Sequence, residues 1–430
     1  MTLFKPSHLP DLTKRAMAPS PYAWFVVALL WLVAMLNYVD RLMITTMRDP
    51  IRADISITDA QFGLLTSVFL WVYALVSPFG GYVADRFTRR GVITASLLFW
   101  SAATFLTGLA HTFHQLLWAR ALMGVSEACY LPAALALICD YHPGPTRSFA
   151  TGVHMSGLSV GAALGGIGGY LAERIGWRAG FERLGIAGLA YGLLVLMTLR
   201  DADSKFDLPA SATGDVEDKS GAAMMLTWLL AKRGFQILFV VNILVGMSNW
   251  TLYGWLPTYL KEHFRLGLGA AGLSATGYVQ AAAFVGVFAG GFIADRWIRT
   301  NRHARSLTPG VFYMVAGPCL FAAASTHALP LAIMGLIVFG LARGAFDANH
   351  MPVLREITRD RYSATGFGIV NMVSCAAGGA MVYVGGALSD AHVSLARIFQ
   401  LCGVALSIVG LLLIAISRSG STKISDPVRR

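Results

Sequence analysis

The sequence predicts an all-α membrane protein of twelve transmembrane helices, arranged as two six-helix pseudo-repeats. Three observations lead there. Hydrophobic residues make up 56% of the chain and charged residues 13%, with a mean hydropathy of +0.60; a soluble domain of 430 residues needs far more charge to cover its surface. The apolar residues gather into about twelve runs of roughly 17–25 residues, each long enough to cross a hydrocarbon core of about 30 Å as a helix. Finally, GYVADRFTRR starting at Gly81 recurs as GFIADRWIRT starting at Gly291, each behind a long apolar stretch, Phe62–Phe79 and Tyr278–Ala289. A charged clasp repeated 210 positions apart in an apolar chain marks a duplicated membrane protein, with a tight basic turn between the second and third helices of each half.

In order, the expected spans are about 22–46, 60–83, 91–110, 113–138, 149–172 and 183–199, then 235–260, 270–294, 308–327, 330–354, 365–388 and 394–417. Close spacing, frequent Gly and little period-two alternation favour helices over a β-barrel. This divides the chain into an N-terminal segment (1–21), a first half (22–199), a linker (200–234), a second half (235–417) and a C-terminal tail (418–430). The linker, rich in Asp, Ser, Ala and Gly, reads as flexible, with a short interfacial helix at Met224–Leu230.

No short apolar core with a small-residue cleavage site precedes the first span, so that helix is expected to be retained. The five cysteines (Cys129, Cys139, Cys319, Cys375, Cys402) lie within apolar spans, which predicts packing residues rather than a disulfide framework or metal site. The net charge of +11 is spread unevenly: most Lys and Arg fall on the side of the N-terminus. By the positive-inside rule both termini are cytoplasmic, in a multi-pass protein of the cell membrane. No basic platform interleaved with aromatics is present, which excludes nucleic acid as a partner.

Two further signatures repeat. Arg147-Ser-Phe-Ala-Thr-Gly152 enters the fifth span and Arg361-Tyr-Ser-Ala-Thr-Gly366 the eleventh, and those spans end in GGYLAE (Gly168–Glu173) and GGALSD (Gly385–Asp390). Parallel repeats of this kind build secondary transporters with a midplane site between the halves. Gly157, Gly161, Gly165 and Gly169 form a four-residue stripe suited to close helix approach, either as a moving contact or as static packing.

The clasp, with Gly81, Ala84-Asp85-Arg86 and Arg89-Arg90, resembles the loop between helices 2 and 3 of the major facilitator superfamily, although Thr88 stands where that family often has Gly. The resemblance implies a conformational latch at Gly81, Asp85, Arg86 and Arg89, with Asp295 and Arg296 as second-half copies. Asn37-Tyr38-Val39-Asp40-Arg41 in the first span and Arg120…Gly124…Glu127-Ala128 in the fourth narrow the likeness to the anion:cation symporter group of sialin, galactonate, glucarate and hexuronate carriers. Spinster-type lipid transporters share much the same pair of motifs. In such a fold the first, fourth, seventh and tenth helices line the central cavity.

A charge at mid-bilayer costs about 2.5–3.5 kcal/mol even on permissive scales and marks function by default. Six such residues stand out, three of each sign: Asp40, Arg41, Arg120, Glu127, Arg343 and Asp347. The spacings place Arg120 with Glu127, Asn37 with Asp40 and Arg41, and Arg343 with Asp347 on shared faces, and the seventh span adds a stripe of Asn242, Asn249 and Tyr253. Arg120 is expected to fork a substrate carboxylate, and Asp40 and Glu127 to carry the proton. Burial and a neighbouring Arg act oppositely on a carboxylate's proton affinity, so such a pair can be set to titrate. The substrate-facing set is thus Asn37, Arg41, Arg120, Asn249, Tyr253, Arg343 and Asp347. A structural ion pair is the competing reading for each charged couple. His154 and His350 are relay or packing residues, Trp24 and Trp228 interfacial anchors, and Trp250 and Trp255 anchors or ring-stacking partners.

The expected activity is proton-coupled symport of a sugar acid, such as a hexuronate, aldonate or sialic acid; the alternative is a Spinster-like carrier of a lysolipid or other amphiphile. Its partners are a small anionic solute, H⁺ or Na⁺, and the lipid bilayer, and the chain acts as a monomer without a cofactor. The fifth span offers Ala163-Leu164-Gly165-Gly166 rather than the Gly-Pro pair frequent in exporting antiporters. No HExxH, serine elbow or paired external carboxylates point to an enzyme.

Overall fold

The computed structural model describes residues 20–142, 146–202, 231–358 and 363–419. The expected terminal segments and linker fall wholly or largely outside these residues, as do the Met224–Leu230 helix with Trp228, and Arg361. The described chain forms α1 (Pro21–Met43), α2 (Arg48–Asp54), α3 (Asp59–Arg86), α4 (Arg89–Gly108), α5 (Phe113–Tyr141), α6 (Arg147–Leu164), α7 (Ile167–Ile175), α8 (Trp177–Thr198), α9 (Arg233–Phe264), α10 (Leu268–Trp297), α11 (Ala304–Ser325), α12 (Leu329–Ile357), α13 (Ser363–Asp390) and α14 (Leu395–Ser419). Among the described residues eleven helices are long and apolar enough to cross a membrane, and α6 with α7 makes a further span bent by 44°. Local chemistry sets the starts. Ser20 accepts from the Ala23 amide ahead of α1, and Thr58 with Gln61 and Thr112 with Gln115 form capping boxes at α3 and α5.

The fifth span was expected as one helix over 149–172, and it breaks at Gly165–Gly166. A Cβ on Gly161 would stand 2.2 Å from the Met35 carbonyl oxygen, and one on Gly166 2.6 Å from that of Gly272. The segment is wedged between α1 and α10, and only a chain without side-chain bulk bends through that gap. Gly157 and Gly161 pack on α1 within their own half, whereas Gly169 meets Leu268 of the other half. The basic turn is also shorter than expected. Asp85 and Arg86 are still helical, leaving only Phe87 and Thr88 between α3 and α4.

Packing repeats with the sequence. In the first half α1 lies on α6, α3 on α5 and α4 on α8; in the second, α9 lies on α13, α10 on α12 and α11 on α14. The halves meet along two seams, α3 with α13 and α10 with α6 and α7. On α3, Gly63, Ser67 and Trp71 face α13: a Gly63 Cβ would approach the Val382 oxygen, Ser67 donates to the Gly379 carbonyl and Trp71 to that of Ala376. The same stripe continues into Leu75, Phe79 and Tyr82, which are 67–68% exposed. The halves therefore touch over about 18 Å of α3 and part beyond Trp71. The bundle is closed at the α2 end and open at the end where α1 starts.

The closed end is held by the repeated GGYLAE and GGALSD signatures. Asp390, at the end of α13, accepts from the Asp59 and Ala60 amides, both at 2.8 Å, and so caps α3 from the other half. Glu173, at the end of α7, accepts from the Gly269 amide at 3.2 Å and caps α10 in the same way. A carboxylate at a helix N-terminus satisfies unpaired amides and meets the positive end of the helix dipole. Arg48 adds a hub. It forks Asp59 at 2.7 and 2.8 Å and reaches Glu262 of α9 at 2.8 Å, while Lys261 of α9 pairs with Asp49.

Loss of one cap costs about 1 kcal/mol, a factor of about five in the ratio of closed to open ends. Asp390→Ala is therefore expected to raise the population with α2 separated from the α9–α10 turn. Spin labels at those two places report it as a longer-distance component; an unchanged distance distribution contradicts the capping role.

Candidate functional site

Two polar clusters lie in the middle of the bundle, one in each half. In the first, Asn37 and Arg41 stand one turn apart on α1 and meet Glu127 of α5. Arg41 Nη2 and Nε donate to Glu127 Oε2 at 2.7 and 3.2 Å. The guanidinium is packed against the rings of Tyr38, Phe69 and Tyr73 at 4.6–4.9 Å, contacts that gain strength out of water. Both side chains are buried, 6% and 0% exposed. Glu127 Oε1 and Asn37 Nδ2 lie short of full hydrogen-bond contact, the Asn37 amide acting on the Glu127 carboxylate from just beyond it, and both residues line a cavity of about 30 Å³ shared with Tyr73 and Tyr130. That volume suits about one water molecule.

Arg120 differs from the expectation. It does not meet Glu127: seven residues share a helical face but lie about 10.5 Å apart along the axis. Its guanidinium is enclosed, donating to the carbonyls of Leu65 and Arg41 at 3.3 and 3.4 Å and packed on Phe69. With 0% exposure it braces α1 and α3 against α5 rather than presenting a fork to the cavity. Asp40 also parts from Asn37 and Arg41: it turns to Trp100 and Thr104 of α4, within electrostatic reach of Arg120 and Glu127. One of its oxygens is buried without a partner. One residue of helix is 100° of rotation, which separates Asp40 from Arg41.

In the second half Arg343 and Asp347 of α12 approach only to 3.7 Å, and the Asp347 side chain is 49% exposed. Arg343 Nη1 reaches Gln280 Oε1 at 3.4 Å, and its guanidinium lies over the Tyr253 ring at 5.1 Å. Gln280 of α10 donates in turn to the Tyr253 hydroxyl at 2.5 Å. Sequence reasoning missed Gln280, although a lone amide inside the apolar run Tyr278–Ala289 is a signal of the same kind as an intramembrane charge. Asn249, one turn before Tyr253, has no hydrogen-bond partner among the described residues. Asn242 leaves the expected stripe: its amide donates to Leu238 of its own helix. Among the described residues no hydrogen bond or ion pair joins the two clusters.

The remaining candidates separate clearly. Trp255 is fully buried in the seam, donating to the Val382 carbonyl and packed on Phe62, so it is closed to a ligand. Trp250 is half-buried beside Tyr253. His154 packs against Tyr130 and His350 against Phe346. Trp24 meets His142 and Phe149 at the open end. Of the clasp, Arg89 pairs with Asp140 inside its own half. Arg86, Asp295 and Arg296 are exposed with no ion pair among the described residues, at the end where the halves are apart. Gly81 and Asp85 lie on α3, with their side-chain surroundings outside the description.

Comparisons with known proteins agree with this architecture. The chain is 27% identical to the probable sulfoacetate transporter of Cupriavidus necator, over 81% of this chain and 85% of that one. It is 25% identical to the D-galactonate transporter of Escherichia coli O6:H1, over 92% and 96%. Its fold is similar to a crystal structure of a bacterial homologue of the human lysosomal transporter Spinster, in an inward-facing and unoccupied conformation. That likeness has a TM-score of 0.79 at 24% identity, covering 95% of this chain and all of the other. The family model for the Major Facilitator Superfamily matches residues 30–382 and 238–427, and this twelve-span, two-half transporter chain belongs to that superfamily.

Proposed function

We propose that this transporter carries a small organic anion, a sugar acid or comparable carboxylate, together with a proton by alternating access. The observation that carries the reading is the Arg41–Glu127 pair, buried in an apolar bundle with one carboxylate oxygen short of full hydrogen-bond contact. A buried charge must be paired or neutralised. Protonating Glu127 therefore weakens its hold on Arg41, and an anion reaching the cavity replaces it as counter-charge. Loss of the proton restores the pair and expels the anion, which links proton and cargo in one direction. Asp40 is the second acid of the proton path, relaying to Glu127 the one proton that binding takes up, and it is tied to the pair through the charges of Arg120 and Glu127. Arg120 holds the helices that present the pair. Asn37, Asn249 and Tyr253 suit cargo hydroxyls, while Arg343 with its loose partner Asp347 supplies the polar wall of the second half.

Support for the cargo class comes from the relatives, named as transporters of sulfoacetate and D-galactonate. Positive charge gathers on the open side, which supports a cytoplasmic location for that side and both termini; on this reading the structure is the inward-open state. The clasp of Asp85, Arg86, Arg89, Asp295 and Arg296 closes that side in the alternate state.

In proteoliposomes, an inward proton gradient is expected to drive D-galactonate accumulation, and replacing Na⁺ by K⁺ to leave it unchanged. Glu127→Gln should lower gradient-driven accumulation at least tenfold while sparing exchange of labelled for unlabelled substrate. Uptake indifferent to the gradient, and equal in the variant, sinks the proposal. Arg41→Lys should also cost about tenfold, since an ammonium cannot hold Glu127 and the three rings in the same geometry. Wild-type rates in that variant contradict the assignment.

A further inference from the structure

The two halves share one backbone frame but invert its charge. Gly124 of α5 and Gly340 of α12 stand 216 positions apart and occupy equivalent places: a Cβ on the first would meet the Phe69 carbonyl oxygen at 2.8 Å, and on the second that of Val279 at 2.5 Å. Glu127 and Arg343 are also 216 positions apart on those helices. Where the first half has the acid that fills a guanidinium fork, the second half has a guanidinium whose fork is unfilled.

Three observations bear on what Arg343 does. Among the intramembrane arginines its side chain is the most exposed, 17%, against 6% for Arg41. Its Nε is buried without a hydrogen-bond partner, facing an Asp347 oxygen that stands too far away at 3.7 Å. And its orientation is set by Gln280, which is only 4% exposed. An arginine can only donate, so the amide oxygen of Gln280 must face Arg343 and its NH₂ must face Tyr253. The Tyr253 oxygen is then the acceptor, and its own proton is left to donate elsewhere.

We infer that Gln280 is a positioning residue which fixes the Arg343 guanidinium and the Tyr253 hydroxyl as a carboxylate subsite, with Arg343 Nε, buried and facing Asp347, opened to the acid group when Asp347 moves aside. This rests on the organic-anion reading above and adds a second cation to it: Arg343 holds the acid group from the second half as the anion takes the place of Glu127 as counter-charge to Arg41. A guanidinium edge and a carboxylate match as parallel donors and acceptors. Asp347, half exposed and only loosely held, is the counter-charge that the arriving carboxylate displaces.

The test is binding of D-galactonate and D-glucarate to the purified full-length protein in nanodiscs, by calorimetry, with ligand-free melting as the control for folding. Gln280→Glu puts a competing carboxylate beside Arg343 and should weaken both acids at least tenfold. Gln280→Met keeps the bulk but loses both polar contacts and should weaken them several-fold. Asp347→Asn removes the displaced counter-charge and should tighten binding, a sign that a merely structural role does not produce. Wild-type affinity in Gln280→Glu, or weakening in Asp347→Asn, overturns the subsite alone. Failure of the wild-type protein to bind any of D-galactonate, D-glucarate, D-glucuronate and sulfoacetate, with binding of lysophosphatidylcholine instead, overturns the organic-anion reading and the subsite with it.

Discussion

A guanidinium and a carboxylate in the middle of an apolar bundle must answer to each other, and the contact between Arg41 and Glu127 is where this molecule meets that constraint. The surroundings of the first half follow from it. Three aromatic rings pack against the Arg41 cation, and Arg120 gives two of its donors to main-chain oxygens. The pair is nonetheless not fully satisfied, since Glu127 keeps one oxygen toward a cavity of about a single water. Breaking a buried pair by removing one partner is costly because the other charge is left exposed to apolar surroundings. Protonation of Glu127 with arrival of an anion avoids that cost, since Arg41 exchanges one counter-charge for another.

Chemistry at the centre must be coupled to which end of the bundle is open. The seams show how the far end is held: carboxylates closing one helix of each half cap the first turn of a helix in the other. These contacts are directional and release as units, unlike a broad apolar interface. The seam stops at Trp71 and Ala376, so the closed contact and the open vestibule share the same helices. A rigid tilt of one half on the other exchanges them, in the manner of hinge or rocking transitions.

Much of this was legible in the chain. Apolar run lengths reported the spans, and the repeated ADR clasp and GG…(Glu/Asp) endings reported the duplication. Cost arguments marked the intramembrane charges before any contact was known. What the chain did not reveal is mostly about partners. Seven-residue spacing placed Arg120 and Glu127 on one face without saying that an arginine from another helix would intervene. The break at Gly165–Gly166 depends on α1 and α10 approaching from both sides, which no local propensity encodes. Gln280 was hidden because one amide scarcely changes the hydropathy of its run, and its meaning arises only when Tyr253 and Arg343 come beside it from two other helices.

The claim on which the rest depends is that anion binding and protonation of Glu127 are one linked event. Calorimetric titration of D-galactonate into the purified protein, repeated in buffers of different ionisation enthalpy, counts the protons exchanged on binding. The account predicts uptake of about one proton per substrate in the wild-type protein and none in Glu127→Gln. Binding with no net proton exchange in the wild-type protein, across the pH range in which transport occurs, contradicts it.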